Sequence, residues 1–251
     1  MSRNLRILHA VAAATHFGQA GALTYLVSKD APGAVQWPIT RLGWKRVIPE
    51  KTREFYLGTL LPVFPFLSSV NHFVAAVDGD WYKGVLEKKV NWLRWAEYSI
   101  SAGVMVFLIA ILAGVTEVRT LVSLMILNVS LQMMGLMIEK RKSEGATRGE
   151  LSALLMIAWG IFAAMWTQLI ISFYTVTSET RDPPKIIFSI IWTMFTLFSS
   201  FGTAQSLYCY DIISFEAYEG AFIGLSLFSK SLLSWLVYGG IISADARFEE
   251  K

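Results

Sequence analysis

Two stretches of this chain, Phe55–Val77 and Leu151–Tyr174, contain no charged residue. A helix rises about 1.5 Å per residue, so some 20 residues cross the ~30 Å hydrocarbon core of a bilayer. A soluble all-α protein would interrupt such runs with a polar face at helical period. Lipid accepts them, because a helix satisfies its own backbone hydrogen bonds. Five more apolar runs have similar length: Ile7–Val27, Trp95–Val115, Thr120–Ile138, Ile186–Tyr210 and Gly220–Ser243. Charged residues are 16% of the chain, against about 25% in an ordinary soluble domain, too few to cover a water-exposed globule. The pattern predicts an all-α, multi-pass membrane protein, one seven-helix domain over residues 1–251 with lipid around it.

Most links between runs are short. The exception, 28–54, holds Pro32, Gly33, Pro38, Gly43 and Pro49 around the β-formers Val35, Trp37 and Ile39. It predicts a structured loop, with a β-hairpin as one form it can take. Pro62 and Pro65 fall inside the second run and predict a kinked helix. The amphipathic stretch Tyr82–Trp92 is read as an interfacial extension of the third helix. No internal repeat suggests a transporter built from duplicated halves. No basic run is interleaved with exposed aromatics, so nucleic acid is not an expected partner. The single cysteine, Cys209, excludes an intrachain disulfide, and no cleavable signal peptide is evident.

Loop charge sets the expected orientation. The side bearing the N-terminus has ten Lys and Arg, the other eleven, six of them in the long first loop. Among the short segments the count is ten to five, which places the N-terminus in the cytoplasm and the C-terminus outside.

Lys230 stands near the middle of the last run, in GLSLFSKSLLSW, about ten residues from either end. A charged lysine there costs about 2.5–3.5 kcal/mol on insertion scales and is too deep to snorkel easily. Two uses justify it: an ion pair with a buried acid, or covalent attachment of a carbonyl cofactor as a Schiff base. Glu97, in LRWAEYSISAG, is the natural anionic partner. The competing reading is an interfacial glutamate beside Arg94, three residues earlier. His16 and His72 lie inside the first and second runs and are functional candidates, with interhelical hydrogen bonding as the plain alternative; His9, nearer an end, takes the plain reading. Trp166, Phe198, Phe201 and Trp235 fall in late runs, where flat rings suit a polyene, although such stripes are more often packing.

Several segments resemble the heliorhodopsins. RWAEYSIS followed by VMVFLIA is similar to that family's third helix, and LSLFSKSLLSW to its retinal-lysine motif. HFGQ in the first run, NHF in the second, LNVSLQMMG in the fourth and LFSSFGTAQ in the sixth also look like their counterparts, so the resemblance spans nearly the whole chain. It implies a rhodopsin-like bundle with all-trans retinal held covalently by Lys230 and Glu97 as counterion. His16, His72 and Gln19 would belong to a polar network on the cytoplasmic side. Ser226 would lie near the Schiff base, with Tyr98, Ser101, Leu131, Trp166, Phe198, Phe201 and Trp235 around the retinal; Leu131 stands where the family usually has methionine. The resemblance also implies an inverted topology and a homodimer involving the first loop.

A pumping rhodopsin carries a second carboxylate one turn before the retinal lysine, where this chain has Ser226. A proton donor three turns beyond Glu97 would fall near Leu108, which cannot titrate. Glu97 is therefore read as the only deeply placed acid, with Asp211, Glu216 and Glu219 near a helix end and Glu139 at an interface. The expected function is a non-enzymatic light sensor that signals to an unidentified partner without pumping; the alternative is a light-gated proton conductor.

Overall fold

The structure, a computed structural model, describes residues 2–30, 41–42, 47–48, 57–77, 79–179 and 185–242. Among the described residues eight α-helices run in order: α1 Arg3–Asp30, α2 Val63–Val77, α3 Gly79–Glu87, α4 Trp92–Leu112, α5 Val118–Ser143, α6 Arg148–Glu179, α7 Lys185–Cys209 and α8 Phe215–Val237, which ends in a π-turn, Tyr238–Ile242. Six segments are long and apolar enough to cross a membrane: Leu57–Val77, α4, α5, α6, α7 and Phe215–Gly240. The seventh spanning element is α1. Its 28 residues reach about 42 Å, but His9, His16 and Gln19 dilute its hydropathy.

The second run starts with a 3₁₀ turn, Leu57–Leu60, and α2 begins only after Pro62. Pro65 lies in the first turn of α2, where its missing N–H breaks no helical bond. The two prolines thus set the start of α2 within the Leu57–Val77 span. The stretch 82–92 also departs from expectation. α3 is a separate short helix, broken from α4 where Lys89 adopts φ 53° and Asn91 caps α4 by accepting from the Arg94 N–H at 3.2 Å. In the first loop, Arg41–Leu42 pairs antiparallel with Val47–Ile48. The rest of the expected hairpin lies outside the described residues.

Tight turns make α4, α5 and α6 antiparallel neighbours. Gly114 (φ 82°) and Gly145 (φ 84°) follow α4 and α5 in the left-handed conformation that ends helices, and Glu117 caps α5 by accepting from the Thr120 N–H at 2.7 Å. α1 packs on α2 and α8, α4 on α2 and α5, α5 on α6, and α7 on α8. α4 is the central element: 61% of its apolar window is buried, against 22–44% in the other spans. It can therefore carry polar side chains that never meet lipid. Its C-terminal half is dry. Met105, Leu108, Ile109 and Leu112 pack there with Phe162, Leu169, Ile190 and Leu233 in one apolar cluster. The polar interior lies toward the N-terminal end of α4.

Candidate functional site

Lys230 on α8 and Glu97 on α4 face each other. Nζ donates to Glu97 Oε1 at 3.1 Å and to Ser226 Oγ at 3.0 Å. Ser226 is one helical turn before the lysine, so both side chains share a face. α2 adds Ser68, which accepts from Lys230 and donates to Glu97 Oε1 at 2.6 Å. The lysine side chain is 3% exposed and the glutamate 8%. Such a pair persists in a dry interior only with its charges matched and further hydrogen bonds in place, which the two serines supply. Glu97 Oε2 is buried with no protein donor, leaving acceptor capacity beside the amine. Lys230 Nζ also sits 4.7 Å above the Tyr98 ring, and Tyr98 Oη donates to the Phe222 carbonyl at 3.1 Å. Arg94, the rival partner for Glu97, turns elsewhere.

The amine lines an apolar, partly open cavity between α4, α5, α6, α7 and α8. Tyr98, Phe198, Phe201 and Phe222 wall it near Lys230 and Ser226, while Leu155, Trp159, Phe162 and Met165 line it further along, with Leu131 between α5 and the cavity. Asn128, Gln132 and Gln205 are the amides that reach it. Gln205 donates to the Gly135 carbonyl at 2.9 Å. Gly135 is required there, because a Cβ would overlap the indole of Trp95, which also lines the cavity.

Three expected wall residues lie elsewhere. Trp235 is 39% exposed on the outer face of α8 and touches Tyr238; five residues beyond Lys230, it falls on the opposite side of the helix. Ser101 is buried outside the cavity lining. Trp166 is buried behind the wall, edge-on to Phe198 at 5.9 Å between centroids. The sequence reading missed Ser68, Trp95, Phe162 and Phe222, which arrive from several helices and follow no common spacing.

His16 and His72 are brought together, stacked at 5.8 Å with 3° between their planes. His9 joins them: its Nδ1 is 2.9 Å from His72 Nδ1, and its ring meets Tyr82 edge-on at 5.0 Å. The plain reading of His9, an interhelical hydrogen bond, is the one the structure shows, and that bond brings it into the same group as the other two. Gln19 lies beside His16 and donates to Ser231 on α8 at 2.7 Å.

A second ionic group lies toward the N-terminal end of α4. Arg94 pairs with both Glu139 of α5 and Glu219 of α8. Tyr218 Oη donates to Glu139 at 2.8 Å, the Asn91 N–H to Glu139 at 2.9 Å, and Asn91 Nδ2 to Glu219 at 2.9 Å and to Tyr82 Oη at 2.7 Å. Glu139 is 0% and Glu219 1% exposed. Glu97 is thus not the only deeply placed acid. Nearness to a helix end in sequence did not mean nearness to water, because α3 and the end of α7 cover these ends.

Comparison with known proteins agrees with this architecture. The structure is similar to cyanorhodopsin from the cyanobacterium Tolypothrix sp. NIES-4075, with a TM-score of 0.72 at 12% identity over 98% of this chain and 99% of that one. It resembles a light-driven proton pump from Leptosphaeria maculans, TM-score 0.72 at 11% identity over 95% and 96% of the two chains. It also resembles thermophilic rhodopsin from Rubrobacter xylanophilus, TM-score 0.66 at 15% identity over 97% and 99%. At such identities these likenesses establish the fold. No curated protein matches the sequence. The heliorhodopsin family model matches residues 5–242, nearly the whole chain. The chain belongs to the heliorhodopsin family, membrane-embedded retinal proteins of the microbial rhodopsin fold.

Proposed function

We propose that the chain is a light sensor carrying all-trans retinal covalently on Lys230, with Glu97 as counterion and without sustained ion transport. The observation that carries this reading is the Lys230–Glu97 pair at the mouth of the aromatic cavity. Retinal fits these residues. The Lys230 amine would hold its aldehyde carbon, and the flat rings around the cavity suit a polyene. When bound, retinal supplies visible absorption and light-driven isomerisation. Lys230 anchors it, and Glu97 neutralises the protonated nitrogen. Ser68 and Ser226 hold both partners, and Tyr98 and Phe222 exclude water from the amine.

The case against pumping rests on asymmetry. Beyond the pair, toward the C-terminal end of α4, Met105, Leu108, Ile109 and Leu112 belong to one large apolar cluster. Polar side chains gather on the other side: three histidines and the Arg94 cluster. Among the described residues, the titratable side chains buried near Lys230 lie on that one side, so a proton leaving it is expected to return the way it went. No reaction on a second substrate forms part of this reading. The N-terminus is cytoplasmic. With buried Arg94 removed from the loop count, the short segments still favour that side nine to five. A homodimer and an unidentified signalling partner complete the proposal on family likeness.

Voltage clamp of illuminated cells expressing the chain tests it. A transient charge movement without steady current is expected; steady current at zero voltage and equal pH overturns it. Passive light-gated proton conduction is a second reading, favoured by the buried Glu139 and Glu219. Current that reverses with voltage and pH gradient identifies it.

A further inference from the structure

We propose that Trp95 and Phe222 form a two-ring partition that passes the shape of retinal in the cavity to the buried Arg94 guanidinium, with Trp95 as the positioning residue. The inference rests on the photoreceptor reading for what fills the cavity. The partition itself rests on geometry.

The two rings serve two sites at once. On α4, Trp95, Tyr98, Ala102 and Met105 line the cavity at helical spacing, and on α8 Phe222, Ser226 and Lys230 do the same. Arg94 does not line the cavity but lies against the same two rings. Its guanidinium carbon is 4.9 Å from the Trp95 ring centre and 4.2 Å from that of Phe222. The rings themselves meet at 5.6 Å between centroids, with 70° between their planes. A cation is drawn to the face of an aromatic ring, most strongly where water is excluded, and Arg94 is buried. A guanidinium held in this way follows the ring when the ring tilts.

Trp95 is blocked in one direction and unpinned in another. Its indole fits against α5 only because Gly135 has no Cβ, and Gln205 braces that wall by donating to the Gly135 carbonyl at 2.9 Å. The indole therefore cannot retreat toward α5. Its Nε1 is buried without a protein partner, so no hydrogen bond to another residue fixes its tilt. Pressure from the cavity side turns the ring instead of pushing it back. Arg94 is where such a turn has leverage, because its guanidinium is forked between Glu139 on α5 and Glu219 on α8. A shift that favours one carboxylate loosens the other. Glu219 is three residues before Phe222, and Glu139 four after Gly135, so both acids lie one helical turn from the partition. An indole that only filled space would leave the cavity and the ionic cluster independent of each other.

The first test needs no retinal. Fluorine NMR of the full-length protein in lipid, labelled with fluorotryptophan, identifies Trp95 as the signal missing from Trp95→Phe. Glu219→Gln should move that signal, because Arg94 then leans toward Glu139 and changes its place on the ring. Glu139→Gln should move it as well, and carries the test if Glu219→Gln does not fold. A Trp95 signal that stays in place in every folded variant overturns the partition. The second test is light-minus-dark infrared difference spectroscopy after addition of all-trans retinal. The guanidinium bands of Arg94 are identified by nitrogen-15 arginine and by their loss in Arg94→Lys. A change in these bands on illumination is expected in the wild-type chain, lost in Trp95→Leu and restored in Trp95→Phe, which keeps a ring. Phe222→Leu takes the place of Trp95→Leu if that variant does not fold. No Arg94 change in the wild-type pigment, or a change that survives loss of the ring, overturns the inference. If the wild-type chain forms no pigment at all, the photoreceptor reading fails, while the fluorine result decides the partition separately.

Discussion

Replacing Arg94 by methionine is expected to be among the most destabilising single changes in the bundle. Arg94 is 4% exposed, and both of its carboxylate partners are buried. Its guanidinium carbon also lies 4.2 Å from the Phe222 ring centre and 4.8 Å from that of Tyr218. Methionine preserves much of the apolar contact, since its thioether packs well on aromatic rings. It leaves Glu139 and Glu219 buried without a cation. Breaking a buried pair by removing one partner costs about 3–5 kcal/mol, a factor of roughly 10² to nearly 10⁴ in the unfolding equilibrium. The remaining donors, Tyr218 and Asn91, offset part of this, so the lower half of the range is expected. The triple variant Arg94→Met, Glu139→Gln, Glu219→Gln should recover most of the loss, because no buried charge is left to desolvate. Arg94→Lys should recover less, since an ammonium cannot fork between two carboxylates. Equilibrium unfolding in mixed lipid and detergent measures all three. A single variant within about 1 kcal/mol of wild type, or a triple variant as unstable as the single, refutes the reasoning.

Four other outcomes follow from the same structure. Lys230→Ala should form no visible pigment with retinal, as an absorption spectrum shows. Glu97→Gln should move the absorption band to the red: at 3.1 Å and an effective dielectric near 20 the lost attraction is about 5 kcal/mol, and it stabilises the ground-state cation more than an excited state whose charge has moved along the polyene. An unmoved band would remove Glu97 as counterion. Gly135→Ala should push the Trp95 indole, lowering stability by about 1–3 kcal/mol and shifting the band; if Tm and colour both hold, the contact is not tight. Outside the spans, the hydrogen bond from Lys142 Nζ at 2.7 Å holds the exposed Asp211 carboxyl below its usual range. Its folded value is depressed, so its contribution is full above the unfolded carboxylate range, near pH 4, and fades as pH falls through the lower folded value. Asp211→Asn should flatten that acid limb of a stability-versus-pH curve.

The reading from sequence reached as far as properties that one helix carries alone. Charge-free runs located the spans, and depth in its run singled out Lys230. Glu97 required one step more, a guess at which acid faces it, and the structure brings the two to 3.1 Å. Properties that depend on several helices were not legible. Ser68 looks like any serine in an apolar run until α2 is set against α4 and α8. Glu139 and Glu219 sit beside the charged stretches where runs end, and only tertiary packing shows that they are buried. Trp235 failed for a simpler reason: an aromatic near the lysine in sequence was taken for one near it in space, and helical spacing turns it outward. α1 shows the opposite difficulty, since the polar groups that serve the interior lower the hydropathy that marks a span.

The two ionic groups are coupled by the helix they share. Arg94 and Glu97 are three residues apart on α4, so their Cα atoms differ by about 4.5 Å along the axis and about 60° around it. Arg94 is tied to α5 through Glu139 and to α8 through Glu219, while Glu97 is tied to α8 through Lys230 and to α2 through Ser68. A change in charge at Lys230 alters what holds Glu97, and α4 cannot turn at Glu97 without moving the guanidinium. The far half of α4, packed dry among large apolar side chains, resists displacement, so movement concentrates at the end where the helix is held by hydrogen bonds and ion pairs. That end adjoins α3 and the α5–α6 turn. On the light-sensor reading, spin labels on α3 and on the 143–148 turn should therefore change separation on illumination. Labels that stay fixed, with changes confined to the opposite end of the bundle, would rule out α4 as the transmitting element.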